Sequence, residues 1–358
     1  MLARKNDDLA ASVLPTRNDG ELMPQRLRWG VMSTANIGKI AVIPAIQQSA
    51  LGTVKVLASR DVEKARSLAK LLGIDRVVGS YEALLEDSEV DAVYIPLPNA
   101  MHAEWTVRAA AAGKAVLCEK PLATSVDGVR EQIEACEKHA VSLMEGFMYR
   151  FHPQTRRVQQ LIASGAIGEV REVRAHLSVN IMRTLDTSNI RYVDSLGGGA
   201  LLDMGCYTVN IARMIFGAEP ERVIGRMHVD PALGIDTSTV GILEFAQGIA
   251  TITCSFAADG QGAYMIVGTD GAIEVPRGII PGLGTRVAEG LVVVVDPDGN
   301  RREELFEPAN QYKNMVDAFA EAVLNKRPVP LPPADSLNNV KVLEAIVRSA
   351  TKNCVENI

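Results

Sequence analysis

Between Arg28 and Glu145, short apolar runs alternate with stretches in which apolar residues recur every three to four positions. Strand and helix in such alternation form β-α-β units around a parallel sheet. The spacing predicts strands over 27–32, 53–58, 92–95, 115–118 and 141–144, and helices over 36–48, 61–72, 81–86, 102–112 and 126–139. Gly73 and Gly113 stand where two of these helices need a left-handed cap. After Phe147 the period falls to two. Val173, Ala175, Leu177, Val179 and Ile181 share one face of a predicted strand, while Arg174, His176, Ser178 and Asn180 share the other. Stretches 237–245 and 249–256 repeat this pattern, and helices predicted over 310–324 and 335–351 flank a Pro-rich link and are expected to pack back on the body.

The expected fold class is therefore α/β: a doubly wound N-terminal domain, then an α+β domain with an open, mainly antiparallel sheet. The expected boundaries are a tail or arm over 1–26, a nucleotide-binding domain over 27–148 and a second domain over 149–358. A chain of 358 residues exceeds what one hydrophobic core comfortably holds, in keeping with two domains. At 47% hydrophobic and 22% charged residues, the composition is that of a globular protein.

Charge and cysteine usage narrow the classes of function. The net charge is -6, and no run of Lys and Arg interleaved with aromatics is present, so no nucleic-acid partner is expected. Five scattered cysteines without a C-x-x-C pair argue against a zinc knuckle or a disulfide framework and for a reducing, cytoplasmic setting. The N-terminal stretch mixes acidic and basic residues and lacks a continuous apolar core, so it reads as no secretory signal. No apolar run reaches the ~20 residues needed to cross a bilayer, and no membrane partner is expected.

The first predicted strand leads into Ser33-Thr34-Ala35-Asn36-Ile37-Gly38, placed where a G-x-G-x-x-G loop joins strand to helix. Small residues replace its first two glycines. Backbone N–H groups at the helix start could still bind a pyrophosphate, although the same string also serves an ordinary tight turn. The second strand ends in Ala58-Ser59-Arg60, where an acidic residue would bind the ribose hydroxyls of NAD. A hydroxyl and a guanidinium suit a 2′-phosphate instead, which points to NADP(H); the other reading is an Arg on a solvated loop. Asp61 comes too late for that position and is expected to cap the next helix.

Two further loops leave the carboxyl ends of predicted parallel strands, where open α/β sheets bind ligands. One carries Pro96, Leu97 and Asn99, with His102 opening the next helix; the other carries Glu119 and Lys120, with Lys120-Pro121 able to adopt a cis bond. A lone Lys is usually a surface charge. Beyond it in the chain stands Gly197-Gly198-Gly199-Ala200-Leu201-Leu202-Asp203-Met204-Gly205-Cys206-Tyr207. A helix starting near Ala200 would set Asp203 and Tyr207 four residues apart on one face. Alcohol oxidation needs a group to take the hydroxyl proton, and a Tyr beside an ammonium can do so because the charge stabilises phenolate. Asp203 would orient the substrate or the phenol.

The segments RWGVMSTANIGKI, ASRDVEKA, GSYEALLEDSEVDAVYIPLPNAMHAEW, AAGKAVLCEKPL, LMEGFMYRFHP and GGGALLDMGCY, in this order, resemble the Gfo/Idh/MocA oxidoreductases over Arg28 to Gly217. The resemblance is to the branch of dihydrodiol dehydrogenase, D-xylose dehydrogenase and glucose–fructose oxidoreductase. It implies a Rossmann domain with NADP(H), no metal, and Lys120 with Tyr207 as the catalytic pair. Tyr207 stands where many members carry His, which favours the sugar and dihydrodiol branch. The resemblance further implies that Asn99 and His102 line the nicotinamide ribose pocket and that Arg150 lies at the domain junction; a core or capping role for His102 remains open. The cofactor-binding set is thus Ser33, Thr34, Ala35, Asn36, Ile37, Ser59, Arg60, Pro96, Leu97, Asn99, His102, Glu119, Lys120 and Arg150.

The expected function is hydride transfer between NADP(H) and a sugar at C1 of an aldopyranose, or a related cyclic polyol, by a homodimer or homotetramer joined through the second sheet. A sugar–sugar oxidoreductase that retains its cofactor under the N-terminal arm is the alternative enzyme. A non-catalytic NADP-sensing protein is the alternative of another class.

Overall fold

The computed structural model describes residues 25–282 and 287–358; the arm expected over 1–26 lies, up to residue 24, outside the described residues. Six parallel strands form the first sheet: β1 (Leu27–Met32), β2 (Gly52–Ala58), β3 (Arg76–Val78), β4 (Ala92–Ile95), β5 (Ala115–Cys118) and β6 (Leu143–Glu145). Their order is β3-β2-β1-β4-β5-β6, the doubly wound order in which the winding reverses between β1 and β4. Helices α1 (Ile43–Gln48), α2 (Val62–Leu72), α3 (Tyr81–Leu85), α4 (His102–Ala111) and α5 (Val126–Lys138) connect them. All residues of β4 and β5 are buried, as continuous apolar strands covered on both faces must be. Asp61 caps α2 through Lys64 N at 3.0 Å, and Gly73 ends it with φ +64°.

Beyond the first sheet, His152 Nδ1 accepts from Gln154 N to start α6 (Pro153–Ala163), an amphipathic helix that the periodicity had not predicted. The chain then enters a nine-stranded sheet. Its strands are β7 (Val170–Ser178), β8 (Arg222–Val229), β9 (Asp236–Phe245), β10 (Gly248–Ser255), β11 (Gly260–Gly268), β12 (Gly271–Val275), β13 (Gly290–Val295), β14 (Arg301–Phe306) and β15 (Glu356–Asn357). The order is β14-β13-β12-β11-β7-β10-β9-β8-β15, antiparallel except that β7 and β10 run parallel. Val173, Ala175 and Leu177 face the core while Arg174 and His176 face outward, as the alternation predicts. The strand ends at Ser178, three residues short of the predicted end, because the Asn180 side chain accepts from Arg183 N and turns the chain into a helical turn.

Helix α7 (Cys206–Phe216) packs on β7 and β10. Helices α8 (Gln311–Leu324) and α9 (Pro333–Lys352) return to the first sheet. Phe319 of α8 lies 5.3 Å from Trp29 of β1, and α9 packs on both α5 and β8. The two sheets are thereby clamped together around one edge of the crevice between them.

Candidate active site

The reversal between β1 and β4 spreads the loops that leave β1, β4 and β5, and they form one wall of a cleft of about 620 Å3. The other wall comes from residues between β7 and α7 and from Tyr312 at the start of α8.

Ser33 turns the first loop with φ +76°; its Oγ accepts from Ala35 N at 3.2 Å and donates to Pro96 O at 3.2 Å, tying the β1 and β4 loops together. Ala35, Asn36 and Ile37 then line the cleft at a helix start, where the first N–H groups have no acceptor within the helix. Small side chains and free donors at this place fit the pyrophosphate of a dinucleotide. Thr34 is half-exposed beside them and does not line the cleft. At the end of β2, Ser59 is buried with its Oγ accepting from Asp61 N at 3.2 Å, and Arg60 is exposed next to Tyr81. Ser33 N donates to Ala58 O at 2.7 Å, so this corner adjoins the first loop.

The β4 loop contributes Pro96, Leu97 and Asn99 to the cleft. Asn99 Nδ2 donates to Gly197 O at 2.8 Å, joining the two walls. Gly197 has φ +76°, and a Cβ there would stand 2.8 Å from Asn99 Cβ and 2.7 Å from Thr124 Cγ2, so no other residue permits this approach. His102 does not line the cleft. It is fully buried, with Nδ1 2.8 Å from Pro121 O and Nε2 2.9 Å from Leu97 O, so the ring sits wedged between the two loops. Burial lowers its pKa. Arg150 does not line the cleft either: its guanidinium pairs with Asn210 Oδ1 at 3.2 Å and Asp335 Oδ2 at 3.8 Å.

Glu119 and Lys120 enter from β5, and the Lys120–Pro121 bond is cis. Tyr94 OH donates to Glu119 Oε1 at 2.6 Å. Burial raises the Glu119 pKa against the opposing pull of that bond and of Lys120. Lys120 Nζ donates to Asp203 O at 2.5 Å and Oδ1 at 2.9 Å, and lies 5.0 Å from the centroid of the Tyr207 ring. Burial would lower its pKa, but the Asp203 carboxylate overrides this and the ammonium is held more firmly charged.

Asp203 lies in a widened turn, Leu201–Gly205, that precedes α7, instead of in a regular helix from Ala200. Its Oδ2 accepts from Arg191 Nε at 2.7 Å. Burial works to raise its pKa, and the two cations reverse this and hold it well below the ordinary carboxylate range. Tyr207 at the start of α7 lines the cleft, its hydroxyl 3.4 Å from Met148 Sδ. Burial raises its pKa well above the usual phenol value, with Tyr312 and Glu119 adding to the effect. The expected lowering by Lys120 is not met in this arrangement, because the ammonium sits over the ring and is compensated by Asp203.

Two functional positions escaped the sequence. Arg191 belongs to no motif and reaches Asp203 only through the fold. Asp236 of β9 accepts from Leu201 N at 2.8 Å and from Thr239 Oγ1 at 2.7 Å, capping from another strand the turn that carries Asp203. Gly199, with φ +104°, admits it: a Cβ there would lie 2.2 Å from Asp236 Oδ1. Among the described residues, no group of three His, Cys, Asp or Glu could hold a metal, and no helix is long and apolar enough to cross a membrane.

Comparison with known proteins gives the geometry a context. Residues 27–147 match the oxidoreductase family with an NAD-binding Rossmann fold, and residues 155–274 match the GFO/IDH/MocA C-terminal domain. D-xylose 1-dehydrogenase (NADP(+)) 2 of Haloferax volcanii is 38% identical over 325 residues, which cover 90% of this chain and 97% of that protein. A 3-ketoreductase from Actinomadura kijaniata, solved with NADP and TDP-benzene, superposes with a TM-score of 0.85 at 30% identity, covering 91% of this chain and 98% of that one. An aldose–aldose oxidoreductase from Caulobacter crescentus also superposes at 0.85, with 26% identity over 93% of this chain and 100% of its own.

Proposed function

The chain belongs to the Gfo/Idh/MocA oxidoreductase family and is an NAD(P)-dependent oxidoreductase acting on CH–OH groups, and from that premise we propose that it uses NADP(H) to oxidise a sugar at C1 of an aldopyranose, or a related cyclic polyol. The observation that carries this reading is the meeting of Lys120, Asp203 and Tyr207 in the cleft bounded by the loops of β1, β4 and β5. The 2′-phosphate preference rests on Ser59 and Arg60 at the end of β2 and on the absence of a free acid there, Asp61 being spent as a helix cap. D-xylose 1-dehydrogenase, the Haloferax relative, is named for NADP(+).

Ala35, Asn36 and Ile37 would hold the pyrophosphate, and Pro96, Leu97, Asn99 and Glu119 would face the nicotinamide half. The bound nicotinamide supplies the hydride acceptor or donor. Tyr207 handles the proton. Among the described residues its hydroxyl is held only by a thioether, a weak acceptor, so it can exchange that partner for a substrate hydroxyl. In the reducing direction the neutral phenol donates its proton to the nascent alkoxide; in the oxidising direction its phenolate takes the proton of the substrate hydroxyl. Asp203 keeps the Lys120 charge in place. The division into a cofactor domain over 27–148 and a substrate domain over 149–358 accompanies the reading, as does association into a homodimer or homotetramer through the outer face of the large sheet, where Val240 and Ile249 are 48% exposed each.

A sugar–sugar oxidoreductase with retained cofactor is a second reading, favoured by the likeness to the aldose–aldose enzyme. Absorbance in the nicotinamide band after purification and dialysis separates the two. The primary test is a spectrophotometric panel of aldoses, ketoses, inositols and a trans-dihydrodiol with NADP+ and NAD+. Reduction of NADP+ by an aldose is expected; turnover of none of these compounds with either nucleotide contradicts the proposal.

A further inference from the structure

Arg191 sits in a short helical turn, Ile190–Tyr192, on the wall of the cleft formed by the second sheet's connections. Its backbone is fixed at both ends: N donates to Asn189 Oδ1 at 3.1 Å, and its carbonyl accepts from Gly199 N at 3.0 Å. Nε is committed to Asp203 Oδ2, whose partner oxygen holds Lys120. The planar guanidinium is thus locked to the same carboxylate that positions the catalytic ammonium. Nevertheless its side chain is 44% exposed, against 12% for Lys120 and 13% for Asp203, and among the described residues its two terminal nitrogens make no hydrogen bond.

We propose that Arg191 is a specificity-determining residue: its terminal nitrogens form a rigid fork that takes two adjacent oxygens of the substrate, a vicinal hydroxyl pair away from the reacting carbon. The proposal rests on the reading of this cleft as the substrate site and adds what the substrate must carry. A guanidinium anchored through Nε keeps its outer donors in one plane, the geometry that suits paired oxygens, and a lysine cannot reproduce it. The fork also fixes register. Because Arg191 and Lys120 share one carboxylate, a substrate seated on the fork is held at a set distance from Lys120 and Tyr207.

Two measurements on the full-length wild type, Arg191→Lys and Arg191→Met test this. Calorimetric titration of 1,5-anhydro-D-xylitol, which keeps the vicinal hydroxyls of the sugar and lacks the anomeric hydroxyl, into NADPH-saturated protein needs no turnover. Affinity should fall about 10- to 100-fold in both variants, the loss of one or two charge-assisted hydrogen bonds, with NADPH affinity unchanged. Equal affinity in the three proteins, or no binding to the wild type, overturns the proposal. Steady-state kinetics with NADP+ and the aldose that the wild type oxidises fastest should show the loss chiefly as a KM raised by a similar factor, with the pH profile of kcat unshifted. A fall in kcat with a shifted pH profile and unaltered KM would make Arg191 a mere counter-ion of Asp203 and equally overturn it. Absence of oxidation of every compound of the panel by the wild type, with Arg191-dependent anhydroxylitol binding, would sink the sugar-oxidation reading and leave the fork standing.

Discussion

Asp203→Asn is the perturbation whose size the site geometry sets most directly, because it leaves two cations without their shared anion. The carboxylate is 2.9 Å from Lys120 Nζ and 2.7 Å from Arg191 Nε. At ~3 Å and an effective dielectric of ~20, each charge pair is worth about 5 kcal/mol before desolvation. Most of that offsets the cost of burying the ions, but removing one partner of a buried pair costs about 3–5 kcal/mol. The Lys120–Asp203 pair, about one-eighth exposed, belongs to this class. The pair with the half-open Arg191 is screened by solvent and adds about 1 kcal/mol or less. Urea unfolding at pH 7 should therefore show Asp203→Asn about 3–5 kcal/mol less stable than wild type. In a Lys120→Met background the same change should cost only about 1 kcal/mol, a coupling of about 3 kcal/mol. Because the folded-state pKa of Asp203 is depressed, its stabilisation is complete above the usual carboxylate range and is lost only as pH falls through the lowered value. The penalty should accordingly stay constant between roughly pH 6 and 9. An equal loss in both backgrounds would refute the reasoning, since it would mean that Lys120 and Asp203 do not depend on one another.

Three other outcomes are expected. Arg60→Ala should weaken NADP+ binding about 10- to 100-fold and leave NAD+ nearly unchanged, as measured by nucleotide titration; similar losses for both would remove Arg60 from phosphate recognition. Glu145 is buried, and burial raises its pKa to about 7 despite opposing bonds from Ser336 and Leu122. A raised acid stabilises fully below its unfolded value and loses that contribution as pH climbs to 7, a span of about 3 kcal/mol, so Glu145→Gln should gain that much relative to wild type between pH 4 and 8.5 in urea unfolding. A pH-independent difference would show that folding leaves the Glu145 pKa unshifted. Asp236→Ala should cost about 2 kcal/mol of stability and lower kcat, because the turn bearing Asp203 loses its cap; stability loss with full kcat would confine the cap to folding.

The parallel half was legible because its central strands are buried on both faces and the strands alternate with helices, of which α2 carries its own punctuation, Asp61 before it and Gly73 after it. Edge strand β3, three residues and half-exposed, carries too little apolar pattern to be read. Strands β11 and β12 were hidden by the glycines at 260, 262, 268 and 271, which look like turn residues and are there for close packing or tight connection. The loops at the ends of β1, β4 and β5 were readable as a ligand site since topology alone places them together. His102 shows the limit of that reasoning. Its position beside the cofactor loop was evident, but only coordinates reveal that the ring is enclosed between two backbone carbonyls and does not line the cleft. Arg191 and Asp236 had no local signal, because each acts on Asp203 or its turn from a separate segment.

The account depends above all on Tyr207 serving as the proton-transfer group beside the nicotinamide. Its direct test is Tyr207→Phe, which keeps the ring that Phe147 and Tyr149 pack against and removes one oxygen. With an oxidisable aldose and NADP+, kcat should fall by about 10²- to 10⁴-fold while NADP+ affinity holds within about twofold. Turnover at the wild-type rate in that variant would contradict the account.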